Sequence, residues 1–358
     1  MLVVVWIAVF HRILFGAAKP RVGAALVFVL ATYAGLALTA CYDLFHDFLV
    51  AHSYVPRWAY VFAISLTFRL AWLLHEVRLR RGRIAFVDVL IYLTFAPFFV
   101  ILPYMLAIPR SDKFRADLDR HDTEVERSGL RMLAQGVGLT LAAAVIHSIY
   151  DVRAAFTSAA TARDGLGLVA HCLLYYPLAI VMDVTAIAWI LVGLVRTLGF
   201  DLAPAFDAPL KSRDVTEWWR RWNTHFRDLL VELFYYPALM RHRSRPERGI
   251  VIGCIMVFLV GSILFHLPKY YLRRAHFDVP PVGLFVENLI MCALVIAILI
   301  KRRRHPRPDV EPIGVRVRRM VTTWIVVMLV VVGAGYGSQA LVQPEIAGSA
   351  WWSQELMR

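Results

Sequence analysis

Residues 249–268 read GIVIGCIMVFLVGSILFHLP, a run of 20 residues without an Asp, Glu, Lys or Arg. A helix rises about 1.5 Å per residue, so a run of this length matches a hydrocarbon layer about 30 Å thick. Similar runs occupy 22–42, 89–109, 132–150, 165–182 and 320–344. Their length and their lack of charge predict helices that cross a membrane.

Four further segments are nearly as apolar but carry one or two ionisable residues: 2–18, 58–74, 183–200 and 279–300. The whole chain of 358 residues is 59% hydrophobic and 18% charged, whereas soluble proteins are about a quarter charged. This composition excludes a soluble domain. It predicts an all-α polytopic integral membrane protein with roughly nine to eleven membrane-embedded helices, and residues 1–358 form a single integral membrane domain.

The net charge of +13 comes from basic residues in short loops, the densest at 301–319, 241–248 and 78–83. Loops of this kind follow the positive-inside rule, so we expect them on the cytoplasmic side of a multi-pass protein in a bacterial inner membrane. A nucleic-acid partner is excluded because no loop is long enough to fold into a basic binding surface.

Two prolines, Pro97 and Pro103, interrupt the run at 89–109. Proline removes a backbone donor, and inside lipid the freed carbonyls need protein or water as partners. The pattern predicts a broken or re-entrant element, and a kinked ordinary helix is the alternative.

The segment 212–237 reads SRDVTEWWRRWNTHFRDLLVELFYYP, too charged to cross a bilayer and too aromatic for a free loop. We expect it at the membrane interface. On a continuous helix Trp218, Trp222 and Phe226 would share one face, and Asp214 with Glu217 resembles a capping box. An amphipathic helix anchored by its tryptophans is the structural interpretation of this pattern.

Ionisable side chains inside apolar runs are costly and therefore mark candidate functional sites. They include His147, His171, His266 and Asp183. A buried histidine bonded to a neighbouring helix is the ordinary alternative, and composition does not choose among the three histidines. Asp183 is predicted either as a partner of His266 or of an arginine, or as a structural anchor between helices. For Arg69 we expect either a side chain that snorkels to the membrane surface or a structural pair.

The sequence Trp219-Arg220-Arg221-Trp222-Asn223, followed about forty residues later by His266 near the end of an apolar run, resembles the membrane-bound O-acyltransferase (MBOAT) family. Upstream, LYYPLAIVMD at 174–183 and FDAPL at 206–210 are similar to elements that precede this motif in the bacterial polysaccharide and teichoic-acid branch. The resemblance covers residues 165–271 and implies an MBOAT-like fold.

The resemblance implies that His266 is the catalytic histidine and Asn223 the second signature residue. The chemistry agrees, since a neutral imidazole can take the proton of an attacking hydroxyl and an amide can stabilise an oxyanion. The predicted substrate-binding residues are Trp218, Trp219, Arg220, Arg221, Trp222 and Asp183. For Arg220, Arg221 and the loop 241–248 we expect a position near the phosphates of the donor, with ordinary positive-inside charge as the alternative.

The predicted function is therefore acyl transfer, of an acetyl or longer group, from a cytoplasmic thioester to a hydroxyl. The expected donor is acyl-CoA or an acyl-carrier thioester acting as co-substrate, with no bound cofactor and no metal. The expected acceptor is an envelope polysaccharide or a lipid-linked saccharide, with membrane lipids and envelope-biosynthesis proteins as partners. A transporter or flippase and a non-catalytic MBOAT-like scaffold are the competing hypotheses.

Two positions depart from the bacterial polysaccharide branch. That branch usually has His at the position of Asn223, whereas Asn is typical of the lipid and sterol branch. Leu267 follows His266 where Gly is common. These departures leave the class of acceptor open.

Overall fold

The structure, a computed structural model, describes residues 2–17, 19–32, 57–80, 83–95, 110–118, 120, 122–149, 176–261, 282–305 and 311–330. Within these ranges every regular element is a helix, which confirms the all-α prediction. The predictions for Pro97, Pro103, His171 and His266 fall outside the described residues.

The chain divides into two compact units, of which the first comprises Met1–Gly129 and Val195–Leu202. Its helices are α1 (Leu2–Phe15), α2 (Val22–Thr32), α3 (Arg57–Arg80), α4 (Phe86–Thr94) and α5 (Ser111–Leu118). Arg69 on α3 is fully buried, and its Nη1 donates to the carbonyl oxygens of Tyr92 and Leu93 at 3.0 and 3.2 Å. The predicted structural pairing of Arg69 is confirmed, with backbone carbonyls as its partners.

The second unit comprises Leu130–Leu194 and Ala203–Arg358. Its helices, two of which start or end in the first unit, are α6 (Thr123–Ile149), α7 (Tyr176–Thr197), α8 (Val215–Arg221), α9 (Thr224–Leu230), α10 (Tyr236–Arg241), α11 (Pro246–Gly261), α12 (Val282–Arg304) and α13 (Ile313–Met328). A π-helical stretch at Val231–Tyr235 joins α9 to α10. The candidate site lies in this unit.

Among the described residues, α6 is the one helix whose length and apolar composition would let it cross a membrane. The apolar helices at Val4–Phe15 and Val22–Thr32 are shorter than a span. The multi-pass arrangement and the single membrane domain therefore stay predictions.

Glycines allow α11 to pack closely against α9, the π-helical stretch and α10. A Cβ at Gly253 would lie 2.7 Å from Tyr235 Cδ2, and one at Gly249 would lie 3.1 Å from Leu239 Cα. At the end of α11, a Cβ at Gly261 would lie 3.0 Å from Leu230 Cδ1. Small residues at such positions are typical of closely packed membrane helices.

The other end of α11 is joined to α12. The Arg304 guanidinium donates from Nε and Nη2 to the two carboxylate oxygens of Glu247, each at 3.0 Å. Because residue 247 begins α11 and residue 304 ends α12, this pair indicates that the two helices run antiparallel.

Candidate functional site

The segment with the tryptophans begins at a helix cap that the sequence predicted. The Asp214 side chain accepts a hydrogen bond from the Glu217 backbone N–H at 2.9 Å, as in a capping box. The Glu217 carboxylate also accepts a hydrogen bond from the backbone N–H of Arg213 at 2.8 Å. The cap at Asp214 is confirmed.

The segment is not one continuous helix. It divides into α8 and α9 at Asn223, whose φ of 46° is in the left-handed region. The expected face through Trp218, Trp222 and Phe226 is therefore interrupted. Trp218 and Trp222 still stack, with ring centroids 5.7 Å apart, since both precede the break. Asparagine is one of the few residues that adopt this conformation at low cost.

A short connector, residues 203–208, runs beside the break between α8 and α9. Its hydrogen bonds, in each case given with the donor first, are Asp207 N to Arg221 O at 3.0 Å, Thr224 N to Ala205 O at 2.9 Å, Thr224 Oγ1 to Pro204 O at 2.8 Å and His225 Nε2 to Ala203 O at 2.8 Å. Phe206 packs edge-on against Trp222, with centroids 4.6 Å apart. The connector thus fixes the backbone on both sides of Asn223.

Asn223 itself is buried, with 9% of its surface exposed. Its Oδ1 is buried and has no hydrogen-bond partner in the described part of the chain. An unpaired buried polar atom costs about 1–3 kcal/mol, so native structures seldom keep one without a use. Asn223 Oδ1 is one of five buried atoms of this segment without a partner among the described residues, together with Ser212 Oγ, Thr216 Oγ1, Arg221 Nε and Arg227 Nε.

The predicted substrate-binding arginines differ in their surroundings. Arg221 is occupied, since its Nη1 donates to the carbonyl oxygen of Asp207 at 2.9 Å and to that residue's Oδ2 at 3.2 Å. Arg220 is exposed. Trp219, the neighbouring aromatic residue, packs on Phe258 of α11 with centroids 4.9 Å apart. Arg221 therefore holds the connector, and Arg220 is accessible to a ligand.

A group of charges anchors the start of α8. Arg302, from the basic end of α12, donates to Asp214, and its Nη2 lies 3.9 Å from Glu217 Oε1. Arg213 Nη2 lies 2.7 Å from the same Oε1. Burial alone would raise the pKa of the Glu217 carboxyl, but the hydrogen bonds from Arg213 and the charges of Arg213 and Arg302 lower it to about 2.

Asp183 has a partner that the sequence did not predict. Its Oδ2 lies 2.8 Å from His147 Nε2, and the pair joins α7 to α6. The interpretation of Asp183 as an anchor between helices agrees with this contact. In the sequence both residues are ionisable groups within apolar runs. They are 36 residues apart on different helices, so local spacing could not predict that they pair.

The predicted base, His266, lies outside the described residues. The structure brings together Trp218, Trp222, Asn223 and Arg221 in one hydrogen-bonded segment and places Asp183 on α7. Among the described residues no group of three or more His, Cys, Asp or Glu side chains could hold a metal ion.

The chain was compared with known proteins. No protein-family model matches it. Over 144 residues it is 31% identical to a long-chain-alcohol O-fatty-acyltransferase from Simmondsia chinensis. The similarity covers 39% of this chain and 38% of that protein's length. It supports acyl transfer in general.

Proposed function

We propose that the chain is a membrane-bound O-acyltransferase that moves an acyl group from a thioester to a hydroxyl, with His266 as the general base. The observation that carries the proposal is the geometry at Asn223, a buried residue with a left-handed backbone that the hydrogen bonds of the connector fix on both sides. The similarity to an O-acyltransferase supports the same reaction.

In the proposed reaction the hydroxyl oxygen attacks the carbonyl carbon of the thioester while the His266 imidazole takes the hydroxyl proton. The negative charge that forms on the carbonyl oxygen is stabilised by the amide N–H of Asn223. The carbon–sulfur bond then breaks, and the imidazolium returns its proton to the departing sulfur. The products are an ester and a thiol, and the protein ends in its starting protonation state.

The packing of α11 supports a role for both residues at one site. A Cβ at Gly261 would lie 3.7 Å from the ring of Phe226, which follows Asn223 by three residues. Gly261 precedes His266 by five residues in the sequence. The end of α11, five residues before His266, therefore lies beside the helix that Asn223 begins.

For the donor we propose acyl-CoA or an acyl-carrier thioester that approaches from the cytoplasmic side. Exposed Arg220, with Arg241, Arg243, Arg245 and Arg248 in the loop before and at the start of α11, would bind its phosphates. Arg221 is left out of this group because Asp207 already occupies it. The inner membrane of a bacterium, crossed several times, is the proposed location.

For the acceptor we propose first a lipid-soluble alcohol. The name of the Simmondsia chinensis relative gives a long-chain alcohol as its acceptor, and Asn at position 223 is typical of the lipid and sterol branch. A hydroxyl of an envelope polysaccharide or of a lipid-linked saccharide is the second candidate, favoured by the resemblance of 174–183 and 206–210 to the polysaccharide branch.

The test is acyl transfer by the purified chain in proteoliposomes. Labelled acyl-CoA is supplied with a long-chain alcohol or with a lipid-linked saccharide, and the labelled ester is quantified. We expect His266→Ala to lower the transfer rate at least about 100-fold. His305→Ala, an exposed histidine at the end of α12, is the control and should keep the wild-type rate. Wild-type transfer by His266→Ala would overturn the assignment of the base.

A further inference from the structure

His147 on α6 and Asp183 on α7 contact each other in the seam, which is the otherwise apolar contact between these two helices. His147 Nε2 and Asp183 Oδ2 are 2.8 Å apart. Within two turns of either residue, the described parts of these helices carry no other Asp, Glu, His, Lys or Arg. An ionisable pair in such surroundings is costly and therefore points to a use beyond packing.

Each residue of the pair has a hydrogen-bonding atom that their contact does not use. Its members keep 30% and 23% of their side-chain surface exposed, so a ligand can reach both. Among the described residues, neither the second ring nitrogen of His147 nor Asp183 Oδ1 has a partner. A carboxylate that accepts from Nε2–H fixes the tautomer and leaves a lone pair on Nδ1. That nitrogen can accept a hydrogen bond from an O–H group.

The surroundings of the pair select the kind of molecule that could carry this O–H group. The residues one helical turn from the pair, on the same faces of α6 and α7, are Ala143, Ala144, Ala186 and Ile187, and all four are apolar. A saccharide would need polar partners for several hydroxyls, which this face does not offer. A molecule with one hydroxyl and a long apolar chain fits both the polar pair and the apolar face.

A continuous path of contacts leads from the pair to Asn223. Asp183 precedes Trp189 on α7 by six residues, which is about 9 Å along a helix. The Trp189 indole N–H donates to the carbonyl oxygen of Phe206 at 3.3 Å, and the Phe206 ring packs on Trp222, the residue before Asn223. The pair and the candidate site therefore belong to one connected part of the second unit.

We propose that His147 and Asp183 bind the hydroxyl group of a lipid-soluble alcohol, which is the acceptor of the transfer reaction. The alcohol enters from the bilayer, and its O–H donates to His147 Nδ1 at this entry site. The hydroxyl then leaves the pair and moves to the candidate site, where His266 takes its proton. This inference rests on the proposed function, and it adds the site at which the acceptor enters. His147 and Asp183 are binding residues in it, and His266 keeps the role of base.

The first measurement is direct binding, which needs no catalysis. A long-chain alcohol that carries a diazirine is photoactivated in proteoliposomes that contain the full chain, and labelled peptides are identified by mass spectrometry. We expect saturable labelling within residues 141–149 of the wild type. We expect Asp183→Asn and His147→Phe to need about 10 to 100 times more alcohol for the same labelling, as for a lost hydrogen bond to a charged group.

The second measurement separates the two substrates. In transfer assays the KM for the alcohol should rise about 10- to 100-fold in Asp183→Asn, while the KM for acyl-CoA stays at the wild-type value. His147→Gln keeps a hydrogen-bonding side chain and should recover part of the affinity. Ser148→Ala changes the neighbouring side chain, which bonds only to the carbonyl of Val145 among the described residues, and should leave both KM values unchanged.

Each result decides the proposal. Wild-type labelling and wild-type KM for the alcohol in both variants overturn it, as does a lower melting temperature with unchanged alcohol affinity, which would mean a structural bond between helices. Specific labelling by a lipid-linked saccharide, and none by the alcohol, also overturns it. Loss of transfer in His266→Ala with intact photolabelling supports both proposals, whereas intact labelling in a wild-type chain that transfers no acyl group would remove the proposed function alone.

Discussion

The segment 203–230 and the seam between α6 and α7 use polar groups in opposite ways. In the segment, backbone and side-chain groups of the connector, of Arg221 and of Thr224 bond to one another and fix the backbone at Asn223. In the seam, one polar pair stands among apolar residues with part of its bonding capacity open. The segment is therefore suited to hold a group in a fixed position, and the seam is suited to receive one.

This difference has an energetic basis. A site that stabilises charge in a transition state works best when its donors are fixed before the reaction, so that no reorganisation is needed. The hydrogen bonds on both sides of Asn223 provide such a fixed position. A site that takes up an alcohol from lipid needs unsatisfied polar atoms at its surface.

The largest effect should come from removing the buried charge that anchors the segment. In Glu217→Ala the guanidinium groups of Arg213 and Arg302 lose the carboxylate, whose side chain is 5% exposed. One-sided loss of a fully buried ion pair costs about 3–5 kcal/mol, and water that reaches the partly exposed guanidinium groups offsets part of this cost. We still expect a clearly lower midpoint of thermal unfolding in detergent.

Glu247→Ala is the matched control, because its pair with Arg304 is exposed on both sides. An exposed pair contributes at most about 1 kcal/mol. Equal losses of stability in Glu217→Ala and Glu247→Ala would contradict the distinction between an anchored segment and an ordinary charged surface.

The second prediction separates the backbone of Asn223 from its amide. Glycine adopts a φ of 46° freely, so Asn223→Gly should keep the stability of the segment and remove only the side chain. We expect transfer to fall about 100- to 1000-fold, as for a lost oxyanion donor. Asn223→Ala should lose the same activity and, in addition, about 1–2 kcal/mol of stability, measured by denaturation. A glycine variant with full activity would show that the position matters only for its backbone.

Part of this segment was predictable because its causes are local. The capping box depends on the spacing of Asp214 and Glu217, and the stacking of Trp218 on Trp222 depends on one helical turn. The break at Asn223 was missed because Asn is compatible with a helix as well as with the left-handed conformation. The connector that stabilises the break comes from about twenty residues earlier in the chain, for example Pro204 bonding to Thr224.

Pairings between distant residues account for the other differences. Arg302 stands in a run of four basic residues that indicates a cytoplasmic loop, yet it bonds to Asp214, 88 residues away. His147 and Asp183 were both noticed as ionisable residues in apolar runs, but periodicity cannot pair side chains on separate helices. Charge identifies such residues in a sequence, and only packing assigns their partners.

Acid should weaken the anchored segment through Glu217. Its pKa is about 2 in the folded chain and about 4.5 for an ordinary glutamate, so the folded state favours the ionised form. The resulting stabilisation is complete above about pH 4.5 and is lost as the pH falls through 2. We expect the melting temperature to decline over this range, and less steeply in Glu217→Gln. Parallel profiles for the wild type and Glu217→Gln would count against the pairing with Arg213 and Arg302.

The smallest effect tests the seam, through two glycines that are two residues apart and lie on nearly opposite sides of α6. A Cβ at Gly136 would lie 2.8 Å from Ile190 N and 3.0 Å from Ala186 O, whereas one at Gly138 would meet nothing within 4 Å. Gly136→Ala should therefore separate α6 from α7 and cost about 1–3 kcal/mol, while Gly138→Ala should be neutral or stabilising. Because Gly136 is three turns from His147, Gly136→Ala should also weaken photolabelling by the alcohol, and Gly138→Ala should not. Loss of labelling in both variants would mean that the alcohol follows the exposed face of α6 alone, without the seam.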